Sequence, residues 1–282
     1  MALKKAGKGY RVLGLGRNAA RLKAAKKLGA IDEYFTDWTQ GVQDADVVVI
    51  CTPVNLTAPA VGIILPFLKP GAVITDAGSV KGCVHKEVAE TMRLCKSSVV
   101  SRKSFGSQLT THNLQLPVFV GSHPMAGSEK TGVNAARKDL YRGATVVITA
   151  EKAKPKAVAV VEKLWRDAGG KIVRMSAAEH DKLVAVTSHL PHAVAFSLCS
   201  LADKKAAKVI AGSFKDMTRI AGSNPADWAV ISSCNKEELG NAIDGLINKL
   251  KVIKSGLSSP KKIEKLFAAG KLARQKLLNN TK

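Results

Sequence analysis

Acidic and aromatic side chains are both scarce in this chain of 282 residues, and none of its cysteines are paired in a metal-binding spacing. Aromatic residues make up 5% of the sequence, too few and too scattered for a row of rings on which single-stranded bases stack. The 22 Asp and Glu are outnumbered by 44 Lys and Arg, giving a net charge of +22. Clustered cations would bind a phosphate backbone by releasing counterions. Here the lysines are spread along the chain ("ALKKAGK", "KAAKK", "EKAKPK", "SPKKIEK"), as on solvated helix faces, so a specific nucleic-acid partner is not expected. The same basic surface suits a small dianionic substrate and a phosphorylated cofactor. Cys51, Cys83, Cys95, Cys199 and Cys234 form an odd set without a C-x-x-C pair. That reads as reduced thiols in a cytoplasmic protein, not a disulfide framework or a zinc site. No apolar run reaches membrane-spanning length and the first residues lack a secretory apolar core, so no membrane partner is expected.

With 46% hydrophobic residues the chain can bury a full core, as one large or two medium domains. Up to about residue 150, short β-branched runs alternate with helical patterns. The strand candidates are "YRVLGLG", "DADVVVICTP", "AVITDAGS", "VFVGSHPM" and "ATVVITA"; the helix candidates include "AARLKAAKKLGA", "AVGIILPFLKPG" and "KGCVHKEVAETMRLCK". Such alternation argues for an α/β domain with a doubly wound parallel sheet. After "EKAKPK" long helical stretches follow, with only "KIVRM" as a strand. A Rossmann-like domain is therefore expected over 1–150 and a mostly helical one over 151–282. The Ser/Thr-rich stretch 97–118 has no period, and reads as an insertion or lid.

Gly14-Leu-Gly16-Arg-Asn-Ala19 fits the G-x-G-x-x-A form of a dinucleotide fingerprint. The residues downstream of it do not fit. The expected second strand falls on "AIDEYFTDW", too polar for a buried parallel strand, and the helix "AARLKAAKKLGA" is studded with Arg21, Lys23, Lys26 and Lys27. The alternative makes "YRVLGLG" the second strand, so that "DADVVVICTP" is the fourth and the first strand with its glycine loop is expected before Met1. On that reading Gly16 occupies the strand end where a carboxylate would select NAD. Arg17 and Asn18 beside it favour the 2′-phosphate of NADP, with NAD as second choice. An ordinary turn with Asn18 capping the next helix stays open as the other reading of "GRN". Thr52 and Pro53, at another strand end, are further cofactor candidates.

Three stretches converge on chemistry. "TDAGSVK" places Asp76, Ser79 and Lys81 at a strand end, where doubly wound sheets bind ligands. "GSHPMAGSEKTG" sets His123 after a strand with Glu129 beyond it, and "EHDKLVAVTSHLPHAVAFSL" carries His180, Asp181, His189 and His192. His189 and His192, three apart, share a helix face near Pro191. Downstream, "FKDMTRIAGSNPADW" offers Arg219 and Trp228. No carboxylate at suitable spacing completes a metal site around these histidines, so no metal is expected. His85 and His112 have no motif around them and read as surface residues. Ser79 reads equally as a cap for the next helix.

In that order, "DAGSVK", "GSHPMAGSEKTG", "HDKLVAVTSHLPH" and "FKDMTRIAGSNPADW" resemble the prephenate and arogenate dehydrogenase family of tyrosine biosynthesis. The resemblance runs from residue 10 to about 275. It implies a nucleotide-binding domain, a helical dimerisation domain and a homodimer. It also implies oxidation of the ring alcohol of prephenate or arogenate with loss of the ring carboxylate. Within it His123 is the base for the ring hydroxyl, with Ser79 orienting it or the hydroxyl and touching the cofactor. Arg219 is the substrate's carboxylate clamp, and His189, His192, Glu129 and Trp228 line the substrate pocket. A neutral imidazole suits the base, and a guanidinium holds a carboxylate through two parallel bonds. Without the glycine loop a second expectation remains: a non-catalytic relative that keeps the pocket and dimer but binds cofactor poorly.

Overall fold

The computed structural model of the chain describes residues 1–103, 117–127, 132–151 and 153–279, with the side chains of 96–103 left aside. Five strands form one sheet in the order β3 (Val47–Ile50), β4 (Val73–Asp76), β5 (Val118–Pro124), β6 (Thr145–Thr149) and β7 (Lys171–Arg174). The first three are mutually parallel, as their near-continuous apolar runs imply for strands covered on both faces. Alternate side chains go to opposite layers. Val48, Ile50 and Ile74 meet α4 (Thr57–Ile64) and the Val80, Val84 and Val88 stripe that enters α5 (Gly82–Lys103). Val73, Val120, Val146 and Ile148 meet α6 (Pro155–Asp167). That last helix buries Ala157, Val158, Val161, Leu164 and Trp165, a stripe at helical spacing. Pro155 opens the helix, and Gly169, at φ +101°, turns the chain out of it into β7, a conformation that suits glycine.

Three sequence expectations change. β5 and β6 are antiparallel; among the described residues no long helix crosses back over the sheet between them, and such strands commonly edge an otherwise parallel sheet. The boundary near residue 150 falls inside this layer: α6 packs on the sheet and β7 pairs in parallel with β6. A segment read as too polar for a buried parallel strand forms a parallel but only half-buried one, β2 (Glu33–Phe35), paired with β1 (Leu13–Leu15). These two make a separate two-stranded sheet, an edge position that tolerates polar residues. Between β1 and β3 lies a cavity of about 650 Å³ lined by Tyr10, Leu13, Leu15, Val47, Val49 and Thr52. Among the described residues β1 pairs only with β2, and β3 only with β4.

Of the stretch 97–118, the backbone of α5 runs on to Lys103 and Val118 opens β5; the remainder, with His112, lies outside the described residues. His85 is not a surface residue. Its Nε2 shares a 2.7 Å hydrogen bond with Thr149 Oγ1, and its ring meets Phe119 edge-on. The segment α7 (Ala177–Val184), a π turn (Ala185–His189) and α8 (Leu190–Leu201) form one 25-residue helix, long and apolar enough to cross a bilayer by length and composition. This corrects the expectation of no such run. The buried, hydrogen-bonded His180 and Asp181 on it belong to a protein core instead. Beyond Asn235, α11 (Lys236–Gly256) and α12 (Pro260–Asn279) form a compact unit of their own.

Gly121 of β5 sits beneath the His85–Thr149 pair, and a Cβ there would run into both the imidazole and the hydroxyl. Gly121→Ala should therefore overpack this face and lower unfolding free energy by about 1–3 kcal/mol, read as a shifted urea midpoint. An unchanged midpoint would mean that the pair moves aside without cost.

Candidate active site

The site is anchored by a charge pair with no solvent exposure. Lys81 and Asp76 are both fully buried, and the Lys81 ammonium donates to Asp76 Oδ2 and, at 2.8 Å, to the Ser122 carbonyl. Asp76 also accepts from the backbone N–H of Gly78 at 2.9 Å and of Ser122 at 3.0 Å. Ser122 Oγ lies 2.8 Å from Thr75 Oγ1 and accepts from Trp165 Nε1 at 2.9 Å. A buried ion pair is tolerable only when its remaining donors and acceptors are satisfied, and here backbone and hydroxyl groups do so. The effect is to lock the carboxyl end of β4 to β5 one residue before His123.

His123 points to the opposite face from Ser122 and meets α7. Its Nδ1 lies 2.8 Å from His180 Nε2, and His180 Nδ1 lies 2.7 Å from Asp181 Oδ1. Asp181 also accepts the N–H of Lys81 at 2.8 Å and of Gly82 at 2.7 Å, at the start of α5. It thus takes the capping place expected of Ser79. Burial raises the Asp181 pKa, but the His180 hydrogen bond and the two backbone N–H groups prevail and hold it below the usual carboxylate range. Neither His180 nor Asp181 was assigned to the site from sequence; the adjacent His-Asp pair before "SHLPH" was the available signal.

A second histidine group surrounds Trp228 of α10 (Pro225–Cys234). His192 stacks on the indole at 3.5 Å between centroids, and His189 meets it edge-on at 5.9 Å. His189 Nδ1 lies 3.1 Å from Asn235 Nδ2, which also donates to the Asp181 carbonyl at 2.9 Å. His189 Nε2 is buried without a hydrogen-bond partner among the described residues. The π turn that carries His189 precedes Pro191, whose missing N–H breaks the regular ladder one turn back.

His123, His189 and His192 are each pushed toward neutrality. Burial, then the charge of Lys81, then His180 and His189 hold His123 well below its ordinary pKa. Burial takes His189 down to about 4 against the opposing charge of Asp181. Burial also lowers His192, to which the charge of Arg219 adds.

The structure thus brings His123, His189, His192 and Trp228 into one linked region, with Arg219 close enough to act on His192. Arg219 is exposed. Ser79 is half-buried on the turn between β4 and α5, where its backbone bears on His189. Glu129 lies outside the described residues. At the end of β1, Arg17 is exposed and Asn18 caps α2 (Ala19–Lys27), its side chain accepting from the N–H of Arg21 at 3.0 Å. Thr52, after β3, has a buried hydroxyl with no partner among the described residues, while the neighbouring Pro53 is exposed. Thr52 lines the end of the cavity between β1 and β3, which His123 and Ser79 do not line. Among the described residues no three His, Cys, Asp or Glu are grouped to hold a metal ion.

Two family models match the chain. One, the nucleotide-binding domain of prephenate dehydrogenase, matches 1–109 and 101–174, and the other, its dimerization domain, matches 176–271. A cyclohexadienyl dehydrogenase of Zymomonas mobilis is 32% identical over 83% of this chain and 75% of its own length. A prephenate dehydrogenase of Bacillus subtilis is 32% identical over 90% of this chain, which spans 65% of that protein. The crystal structure of an Aquifex aeolicus prephenate dehydrogenase, in complex with hydroxyphenyl propionate and NAD+, superimposes with a TM-score of 0.82. It is 30% identical, over 98% of this chain and 92% of that one.

Replacing Lys81 by Met would leave the Asp76 carboxylate buried without its cation. The expected loss is about 3–5 kcal/mol of unfolding free energy, measured by chemical denaturation. A loss below about 1 kcal/mol would mean that water or a backbone shift replaces the ammonium.

Proposed function

Because this chain belongs to the prephenate dehydrogenase family, we propose that it oxidises and decarboxylates the cyclohexadienol ring of prephenate or arogenate, with NADP as hydride acceptor. The observation that carries the reading is a half-buried imidazole, His123, at a strand end, pushed toward neutrality by desolvation and by the fixed charge of Lys81. A neutral histidine in an apolar setting is the group needed to take a ring hydroxyl's proton while the carbon beneath it loses hydride. A bound nicotinamide would supply the hydride acceptor. Carbon dioxide leaves from the ring as it becomes aromatic, and the proton rests on His123.

The other residues fall into supporting parts. Arg219, which acts on His192, would hold a substrate carboxylate, and His189, His192 and Trp228 would wall the pocket. Ser79 would sit between His189 and the cofactor. The partnerless hydroxyl of Thr52 suits a cofactor hydrogen bond, with Pro53 beside it, and Arg17 suits a ribose phosphate. No described residue fills the slot between β1 and β3, so these groups serve the ends of a dinucleotide and not its pyrophosphate. That slot favours one second reading: a relative that keeps the pocket but holds cofactor weakly. Titration with NADP and NAD separates the two. Large exposed apolar side chains on the helices, among them Leu201, Phe267, Leu272 and Leu277, suit a homodimer, and the family's biosynthetic role suits the cytoplasm.

Turnover of prephenate and of arogenate with each cofactor is the direct test, and no turnover with any pairing would sink the dehydrogenase reading. Arg17→Ala should raise the KM for NADP much more than that for NAD; equal effects would leave Arg17 a turn residue. His123→Asn should keep substrate and cofactor affinity but lose turnover by about 10²-fold or more. Since only neutral His123 can accept the proton and its pKa is depressed, activity should hold through neutrality and fall only below the usual histidine range of about 6.5. An acidic limb unchanged in His123→Asn would assign the proton to another group.

A further inference from the structure

We propose that His180 and Asp181 are positioning residues that fix the proton of His123 on Nδ1 and leave its Nε2 as the acceptor presented to substrate. The inference rests on reading His123 as the base. The direction of each hydrogen bond follows from the far end of the chain. Asp181 accepts two backbone N–H groups from the start of α5 and is held ionised, so it can only accept. His180 Nδ1, 2.7 Å from Asp181 Oδ1, must then carry the proton. That leaves His180 Nε2 as a bare acceptor, 2.8 Å from His123 Nδ1, which must donate in turn. The remaining nitrogen of His123, Nε2, keeps its lone pair.

The same chain prepares His123 to become positive. When it takes a hydroxyl proton, the O–H bond breaks, an N–H bond forms at Nε2, and no other bond at the imidazole changes. The new charge faces the accepting nitrogen of His180, with the Asp181 carboxylate behind it, while the ammonium of Lys81, already paired with Asp76, opposes it. His189 in the π turn is the other titratable group bearing on His123, and it is neutral at working pH. Without the Asp181–His180 end, the cationic form would meet only the opposing ammonium. The geometry is that of an acid–base pair oriented by a buried carboxylate, the logic by which a serine hydrolase triad fixes its imidazole, here with a second imidazole interposed.

Asp181→Asn tests the direction. With its amide oxygen kept on the N–H of Gly82, its NH₂ takes the place of Oδ1, gives up the N–H of Lys81 and would donate to His180 Nδ1. That moves the His180 proton to Nε2, and the His123 proton to Nε2 with it. Nitrogen-15 NMR of the histidine side chains in the free protein should find His123 protonated at Nδ1 in the unsubstituted chain and at Nε2 in the variant. Turnover should fall by about 10²- to 10⁴-fold, with KM values changed by less than about threefold. Should Asp181→Asn unfold, His180→Gln and His180→Leu carry the test: the Gln amide oxygen can still accept from His123, so it should keep at least about tenfold more turnover than Leu. The proposal is overturned if the unsubstituted His123 carries its proton on Nε2, or if Asp181→Asn keeps normal turnover. Equal turnover in folded His180→Gln and His180→Leu would overturn it too. Because the NMR measurement needs no substrate, it decides the tautomer even if the dehydrogenase reading fails in the turnover assay.

Discussion

The buried Lys81–Asp76 pair is the constraint on which the rest of the site depends. It ties the end of β4 and the start of α5, five residues apart, to the backbone of Ser122 in β5, more than 40 residues on. A lysine and an aspartate with no exposure would be costly alone, and either would shed its charge before staying buried unpaired. Paired and supplied with backbone partners, they become a fixed point. Because Ser122 and His123 are neighbours on a strand, fixing the first aims the second at the opposite face. The ammonium also sets the electrical setting of that face, and its charge helps to lower the pKa of His123.

Asp181 extends that constraint into the helical layer. It holds the start of α5 through two N–H groups while orienting His180. Its backbone carbonyl is bound by Asn235, which in turn contacts His189. Thus α5, α7 and the end of α10 meet through one carboxylate residue. The polar atoms left over face inward: the hydroxyl of Thr52 and Nε2 of His189 are buried without partners among the described residues. In a folded protein such atoms commonly mark where a ligand completes the bonding.

Much of this was legible in the sequence because strands with continuous apolar runs announce themselves. "DADVVVICTP", "AVITDAGS" and "VFVGSHPM" became β3, β4 and β5, and their carboxyl ends are where Thr52, Ser79 and His123 stand. The place of His123 near a strand end was readable from the run before it. Its partners were not, because His180 and Asp181 lie 57 and about 100 residues from what they touch. An adjacent His-Asp pair on a helix gives no period or spacing signal of contact across the fold. His85 was misread for the same reason: nothing local tells that Thr149, 64 residues on, will meet it over a glycine. The antiparallel turn from β5 to β6 was hidden because strand direction is set by the connection, here in part outside the described residues, and not by the strand's own residues. β2 was missed because edge strands escape the apolar rule that inner ones obey.

The histidine motif shows how a local irregularity couples to the site. Pro191 removes one N–H from the helix that carries "SHLPH", and the turn before it widens into a π segment ending at His189. Widening rotates the residues beyond it relative to those before it. His180 and Asp181, ahead of the bulge, face β5 and α5, while His189 and His192, at and after it, face Trp228. An unbroken α-helix would carry the later residues round differently, so its two halves would not meet His123 and Trp228 in this way. One proline therefore lets α7 and α8 divide their contacts: the first half bonds His123, and the second packs its histidines on Trp228.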